Sequence, residues 1–336
     1  MSAILNTFKT KQPFILLLLP LIYAVFWFKW FSNPVIDIRE QALMPLSYFL
    51  VDLFRNIPIV LGVLSIVFTL ITSYLIYYII ERYGLLRSGV NLPSLLYILI
   101  VGALPFTIGF NPVVFSALFI LIAFSRMLYA YNNHRSISCF FDAGFMIGIA
   151  TGFYLNSLIF IVFILIAMVS IGRFNFRELV VLLIGTFLPL LFIWTYYLYT
   201  DSYQELVQII SNTASLVVID KIPSIYEWCF LGYIGLLFFV SLTGMFLNNP
   251  LNEVFDIKFF TILFVIMAVS VIMPIILYPI GLELIVISAI PLSFYIGRYF
   301  AVQKHKLYGD ILLFIFLACV ILLQFPTLLK MIIPYE

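Results

Sequence analysis

The sequence from Ile57 to Ile80 reads IPIVLGVLSIVFTLITSYLIYYII and contains no charged residue. A helix needs about 20 mostly apolar residues to cross the hydrocarbon core of a bilayer. The stretch therefore predicts a membrane-spanning helix, and Glu81, Arg82 and Arg87 mark where it leaves the membrane. Similar apolar runs recur on both sides of it. The fold class predicted for the chain is thus an all-α, polytopic integral membrane protein.

The composition points the same way. Hydrophobic residues make up 65% of the 336 residues and charged residues only 10%. A water-soluble domain could not cover its surface with so few polar side chains. The net charge of +2, without a basic block, argues against a nucleic-acid partner. We predict a single membrane domain, residues 1–336, with about eleven transmembrane helices at 13–31, 57–80, 93–110, 112–126, 138–154, 158–171, 180–199, 229–247, 259–277, 282–296 and 311–325.

The distribution of Lys and Arg orients these spans. With the N-terminus in the cytoplasm and eleven alternating spans, twelve of the 17 basic residues fall on the cytoplasmic side. Cytoplasmic loops of membrane proteins carry this excess of positive charge. The prediction is a bacterial inner-membrane protein with a cytoplasmic N-terminus and a periplasmic C-terminus. The first loop, 32–56, and the connector, 200–227, then face outward.

The first loop is too polar for a span and too apolar for a free loop. Residues Glu40 to Arg55 predict an amphipathic helix in the membrane interface, with Asp52 on one face and Leu46 on the other. Pro45 would kink this helix or start a second short one. The helix is either a solvated connection or a surface that receives a lipid-linked substrate. The charged residues of the loop are Asp37, Arg39, Glu40, Asp52 and Arg55.

Glu283 is the second unusual position, predicted about one turn inside the tenth span near its outer end. A carboxylate at this depth is costly unless it is paired or faces a cavity. Glu283 could line the same outer cavity as Asp37, or it could be a helix N-terminal residue favoured by the helix dipole. A third acid, Asp142 in the fifth span, is predicted to pair with Arg135 or Arg126.

The residues indicate no metal site. Cys139, Cys229 and Cys319 are widely spaced in apolar surroundings and are predicted to be small buried hydrophobic residues. His134 and His305 have no partner at the spacing of metal ligands. No phosphate-binding loop, nucleophile elbow or HExxH motif is present in the sequence.

Three segments together resemble the GT-C membrane glycosyltransferases. The first is the outward loop with an early acid, Asp37-Ile38-Arg39-Glu40. The second is a span that ends in a basic turn and is followed by a Gly/Ala-rich hairpin. The pattern covers about residues 13–300, and the chain also resembles Phe/Ile/Leu-rich polytopic membrane proteins of Bacteroidota. The second segment comprises Ser125–Tyr129, His134–Ser136, Asp142–Gly144 and Gly148–Gly152, and the third Glu283-Leu284 and Ala289–Leu292.

The resemblance implies transfer of a sugar from a polyprenyl-phosphate-linked donor at the outer face of the inner membrane. It implies that Asp37 acts as a base or metal ligand, with Glu40 as its neighbour. Arg39 and Arg55 would bind the donor phosphate, and Glu283 would be a further substrate-binding residue. A divalent metal cofactor is compatible with the resemblance, although the residues themselves indicate none.

Two other function classes stay open. The first is a non-catalytic membrane subunit or scaffold of a cell-envelope assembly, which would bind other envelope membrane proteins through the first loop and the connector. The second is a transporter or flippase, which would be expected to show two related halves. The sequence shows no such repeat. The partners predicted are a lipid-linked substrate, membrane lipids and other envelope membrane proteins.

Overall fold

The computed structural model describes residues 14–32, 34, 43–86, 89–132, 137–215, 224–247, 254–276, 282–302 and 306–324. All regular structure within these ranges is helical, with no strand. Short 3-10 helices lie at Pro105–Thr107, Leu155–Phe160 and Leu282–Leu284. The α-helices are α1 Phe14–Ser32, α2 Pro45–Phe54, α3 Pro58–Tyr83, α4 Leu92–Ala103, α5 Pro112–Asn132, α6 Ile137–Phe153, α7 Ile161–Ile171, α8 Phe176–Tyr199, α9 Tyr203–Ser215, α10 Ile225–Leu247, α11 Val254–Ile276, α12 Ile285–Val302 and α13 Lys306–Gln324.

Each apolar run predicted from the sequence falls on a helix. Six of these helices are long and apolar enough, by length and composition, to cross a membrane: α3, α5, α8, α10, α11 and α12. Shorter apolar helical stretches of 10–17 residues lie in the remaining helices, among them Leu16–Ser32 in α1, Leu92–Ala103 in α4, Ile137–Phe153 in α6 and Tyr308–Gln324 in α13. The fold is therefore an all-helical bundle assembled from helices of membrane type.

Three helices form the centre of the bundle. All twelve residues of α4 are buried. In α5 and α12, 72% of the apolar 18-residue stretch of the helix is buried, against 22% in the peripheral helix α8. Helix α4 is short because Pro105 follows it. The residue before a proline avoids the α region, and Leu104 is extended, with φ −92° and ψ 120°.

Contacts between helix termini divide the bundle into two ends. One end, which we call the basic end, is marked by two ion pairs. Arg126 on α5 lies 3.7 Å from Asp142 on α6, and Arg298 on α12 lies 3.5 Å from Asp256 on α11. The last turn of α3 reaches the same end, where Tyr83 stacks on a phenylalanine of α11.

The opposite end, which we call the polar end, is where α5 begins and α6 finishes. The Ser116 hydroxyl in the first turns of α5 donates to the carbonyl oxygen of Ala150 at 2.9 Å. The Ser47 hydroxyl of α2 donates to the carbonyl oxygen of Phe153, also at 2.9 Å. These bonds place α2 beside the terminus of α6, so the described part of the first loop belongs to the polar end.

Close helix packing is predicted from the spacing of Gly144, Gly148 and Gly152, and the structure confirms it. Helix α6 crosses α8 at backbone distance. A Cβ atom at Gly144 would overlap the carbonyl oxygen of Leu182, and one at Gly148 would overlap that of Thr186. The partner of the glycine face is therefore α8, which is not the next helix along the chain.

Helix α2 begins at Pro45, one of the two alternatives predicted for this proline. Proline suits the first turn of a helix because its missing N–H would have no partner there. Ser47 and Val51 are buried toward the bundle, whereas Asp52 and Leu53 are exposed. The helix thus packs on the bundle through a small face, and polar and apolar side chains on its other faces are exposed.

The connector 200–227 is predicted as a polar loop, but residues 203–215 form helix α9. Tyr203, Leu206, Val207 and Ile210 recur at helical spacing, and Leu206 is buried while the other three are exposed. The apolar pattern of α9 is shorter than that of the spans, and the polar residues around it favour a loop when the sequence is considered alone.

Candidate functional site

The structure describes two of the five predicted site residues. Asp37, Arg39 and Glu40 lie outside the described residues. Arg55 follows the last turn of α2, at the polar end, and its side chain is exposed. Glu283 lies in the 3-10 turn Leu282–Leu284, directly before α12. It therefore precedes the helix, whereas the prediction placed it one turn inside the span.

Glu283 is half-buried, and its negative charge acts on the hydroxyl of Tyr154, at the junction of α6 and the 3-10 helix that follows it. The side-chain amide of Asn156 donates to the Tyr154 oxygen at 3.3 Å. The Tyr154 phenol and the Asn156 amide are thus in contact, and the Glu283 carboxylate is within electrostatic reach of the phenol.

Two buried polar side chains lie near this group. The side-chain oxygen Oδ1 of Asn111 caps α5 by accepting the N–H of Val113 at 2.9 Å, and the turn before it relies on Gly109 at φ +116°. The Asn111 amide nitrogen and the Ser157 hydroxyl have no hydrogen-bond partner among the described residues. Their exposed fractions are 4% and 0%. An unpaired buried polar group costs about 1–3 kcal/mol, so both are suited to a water or a polar ligand group.

A layer of phenylalanine rings lies beneath these polar groups. Phe115 is its centre, with ring centroids 4.4 Å from Phe68, 5.4 Å from Phe110 and 5.2 Å from Phe153. Phe119 stacks on the other side of Phe153 at 5.8 Å. Phe115 is buried, and the four rings around it are partly exposed. The polar groups therefore lie between this aromatic layer and the end of the bundle.

The chemistry of this arrangement suits a hydroxyl-rich ligand. Glu283 accepts hydrogen bonds, the Tyr154 phenol can donate one, and the amides of Asn111 and Asn156 can do both. The sequence prediction named only Glu283 among them. The signal for the rest was the polar run Tyr154-Leu155-Asn156-Ser157 between two apolar spans, together with Asn111-Pro112 at the preceding turn.

The structure tests three further predictions. The pairing of Asp142 with Arg126 is confirmed at 3.7 Å. Cys139 is buried as predicted, but Cys229 is exposed and Cys319 is half-buried, so the prediction is wrong for Cys229. A helix in lipid can expose a small apolar side chain at no cost, which removes the reason to bury it. Among the described residues, no group of three or more His, Cys, Asp or Glu side chains could hold a metal ion.

The apolar helices, with a basic end and a polar end, define the chain as a helical membrane protein. The chain belongs to the DUF6427 family, a family of unknown function, whose model matches residues 42–332. No curated protein and no solved structure matches it. The matched region includes Arg55 and Glu283 and begins after Asp37, Arg39 and Glu40.

Proposed function

We propose that the chain crosses the bacterial inner membrane eleven times, with the basic end in the cytoplasm and the polar end outside. Among the described residues, all Lys and Arg except Lys29 and Arg55 lie at the basic end. This asymmetry agrees with the positive-inside rule. With α2 and α9 set aside, the described helices run alternately between the two ends, so that α1 begins at the basic end and α13 finishes at the polar end. Helix α2, with its exposed Asp52 and Leu53, would lie in the outer interface.

We further propose that the polar end acts on a lipid-linked substrate, and that the reaction is transfer of a sugar from a polyprenyl-phosphate donor. The observation that carries the proposal is the grouping of Glu283, Tyr154 and Asn156 at the polar end, together with the Asn111 amide nitrogen and the Ser157 hydroxyl, which have no hydrogen-bond partner among the described residues. Sugars are recognised by groups of this kind, since each hydroxyl both donates and accepts hydrogen bonds. The lipid tail of the donor would stay in the bilayer beside α2.

Each predicted residue has a role in this proposal. Asp37 would take the proton of the acceptor hydroxyl, with Glu40 as its neighbour. Arg39 and Arg55 would bind the donor phosphate through their forked N–H groups. Glu283 would hold the sugar by hydrogen bonds. Arg55 and Glu283 lie at the same end of the bundle as α2, the described part of the first loop, which is what this division of roles needs.

A non-catalytic membrane subunit of an envelope assembly is the second proposal. The phenylalanine layer under the polar end favours it, because rings packed around Phe115 fill space that a deep substrate cavity would occupy. In that case α2 and the connector would be surfaces for other envelope membrane proteins. The transporter or flippase stays third, since it needs a polar path through the bundle at the level of these phenylalanine rings.

The test compares three carboxylates, Asp37, Glu283 and Asp52, in the native host. We expect Asp37→Asn to reduce sugar transfer about 100-fold or more, as loss of a general base does. Glu283→Gln should reduce it about tenfold, through a weakened hydrogen bond to the sugar. Asp52→Asn, an exposed acid on α2, should leave transfer unchanged. The measurement is mass spectrometry of the lipid-linked sugar pool, which accumulates when the transferase fails.

The outcome separates the two proposals. Full transfer by Asp37→Asn protein that is present in the membrane would refute the enzymatic role. If none of the three variants changes sugar transfer and the protein co-purifies with other envelope proteins, the scaffold is the better description. If Asp37→Asn and Glu283→Gln both accumulate donor while Asp52→Asn does not, the enzyme stands.

A further inference from the structure

We propose that the basic end carries a binding site for an anionic phospholipid, with the lipid phosphate on Arg82 and an acyl chain along α3. The inference depends on the membrane placement of the bundle, but it is independent of any sugar transfer at the opposite end. It rests on how Arg82 is held, on the absence of an acidic partner for it, and on an apolar track that ends at this residue.

Arg82 is held by two aromatic side chains. Its guanidinium Nη1 donates to the hydroxyl of Tyr78 at 2.5 Å. The guanidinium carbon lies 5.6 Å from the ring centroids of both Tyr78 and Tyr129. Contacts of this kind orient an arginine without neutralising its charge. A guanidinium has five N–H donors, so most of them are left to face outward.

Arg82 also differs from the other arginines for which the structure shows a partner at this end. Arg126 pairs with Asp142, and Arg298 pairs with Asp256. Within the described ranges, no carboxylate lies within ion-pair distance of Arg82. The adjacent Glu81 is a hydrogen-bond partner of Tyr77. An exposed, oriented and uncompensated guanidinium is a good ligand for a phosphate, because its planar fork matches two phosphate oxygens.

The surface leading to Arg82 identifies the phosphate as that of a lipid. Exposed apolar residues run up one face of α3 at intervals of four: Ile59, Val63, Val67 and Ile71. The same face continues through the exposed ring of Tyr78 to Arg82. At 1.5 Å per residue, the track from Arg82 back to Val67 is about 22 Å long, close to the length of an acyl chain. A charged head next to an apolar track of this length fits one phospholipid.

The level of the site in the membrane fits as well. Tyrosines lie at membrane interfaces, where the ring contacts the apolar region and the hydroxyl contacts the headgroups. Tyr78 and Tyr129 are 49% and 39% exposed, so both rings are open to a headgroup. If the basic end is cytoplasmic, this leaflet is the one in which basic residues meet anionic lipids.

The test uses the purified full-length protein in detergent and measures its thermal stability during titration with phosphatidylglycerol, phosphatidylcholine or soluble glycerol phosphate. Wild-type protein should be stabilised by phosphatidylglycerol at lower concentration than by phosphatidylcholine, and glycerol phosphate should have no effect. Arg82→Gln should weaken the phosphatidylglycerol effect about fivefold or more. Arg177→Gln, an exposed arginine at the start of α8, should leave it unchanged.

Two further variants keep the test decisive if Arg82→Gln protein is poorly folded. Arg82→Lys keeps the charge but loses the fork, so it should bind with intermediate strength. Tyr78→Phe keeps the ring but removes the oxygen that orients the guanidinium, and it should also weaken binding. The proposal is overturned if wild-type protein responds equally to both lipids or to glycerol phosphate. It is also overturned if the Arg82 variants and Arg177→Gln all bind phosphatidylglycerol as wild type does.

Discussion

Arg298→Gln is expected to lower the free energy of unfolding by about 3–5 kcal/mol. Arg298 lies 3.5 Å from Asp256, and the two side chains are only 13% and 18% exposed. The guanidinium also lies over the ring of Phe260, with 5.2 Å between its carbon and the ring centroid. The change removes the positive charge 3.5 Å from a mostly buried carboxylate, and this lost attraction is the expensive part. Thermal and denaturant unfolding in detergent measure the loss.

The Arg126–Asp142 pair is the matched control for this prediction. It lies at the same end of the bundle, at 3.7 Å, but its side chains are 47% and 40% exposed. Because water screens such a pair, Arg126→Gln should cost no more than about 1 kcal/mol. A double variant with Arg298→Met and Asp256→Leu should recover most of the stability, since it removes both buried charges together. Equal costs for Arg298→Gln and Arg126→Gln would show that burial does not set the strength of these pairs.

The positions of the helices could be predicted from the sequence because hydropathy is a local property. The run from Ile57 to Ile80 predicts a helix, and the structure has one at Pro58–Tyr83. The start of α2 at Pro45 is one of the two alternatives that the sequence predicts there, since proline acts on the backbone next to it. The pairing of Asp142 with Arg126 followed from charge placed near a span end. In each case the decisive information lies within a few residues of the feature.

Contacts between distant segments could not be predicted in this way. The glycines of α6 signal a close neighbour, but nothing in the sequence names α8 as that neighbour. Likewise Tyr154, Asn156 and Ser157 read as ordinary polar residues at the end of a span. Their meaning depends on Glu283, more than 120 residues away, which only the folded chain brings to them. A lone polar residue at a helix terminus therefore predicts an interface position, whereas a binding site can be identified only from the tertiary structure.

Gly148→Ala is expected to destabilise the protein by about 1–3 kcal/mol, although the change adds only one methyl group. The new Cβ would overlap the carbonyl oxygen of Thr186 and would lie 2.9 Å from the Cγ atom of Pro189. Neither obstacle can turn away, because one is backbone and the other is a ring closed onto the backbone. Helices α6 and α8 would have to separate, and the close packing that replaces the hydrophobic effect inside a bilayer would be lost.

Gly235→Ala in α10 separates this effect from helix propensity. Nothing lies within 4 Å of a Cβ atom built on Gly235, and the residue is exposed. The same substitution there should raise stability by about 0.5–1 kcal/mol, because alanine is the better helix former. The two variants are thus expected to shift the unfolding transition in opposite directions, measured side by side in one detergent. A shift of the same sign and size in both would mean that α6 and α8 do not meet at Gly148, and the bundle would then have to be assembled differently around that face.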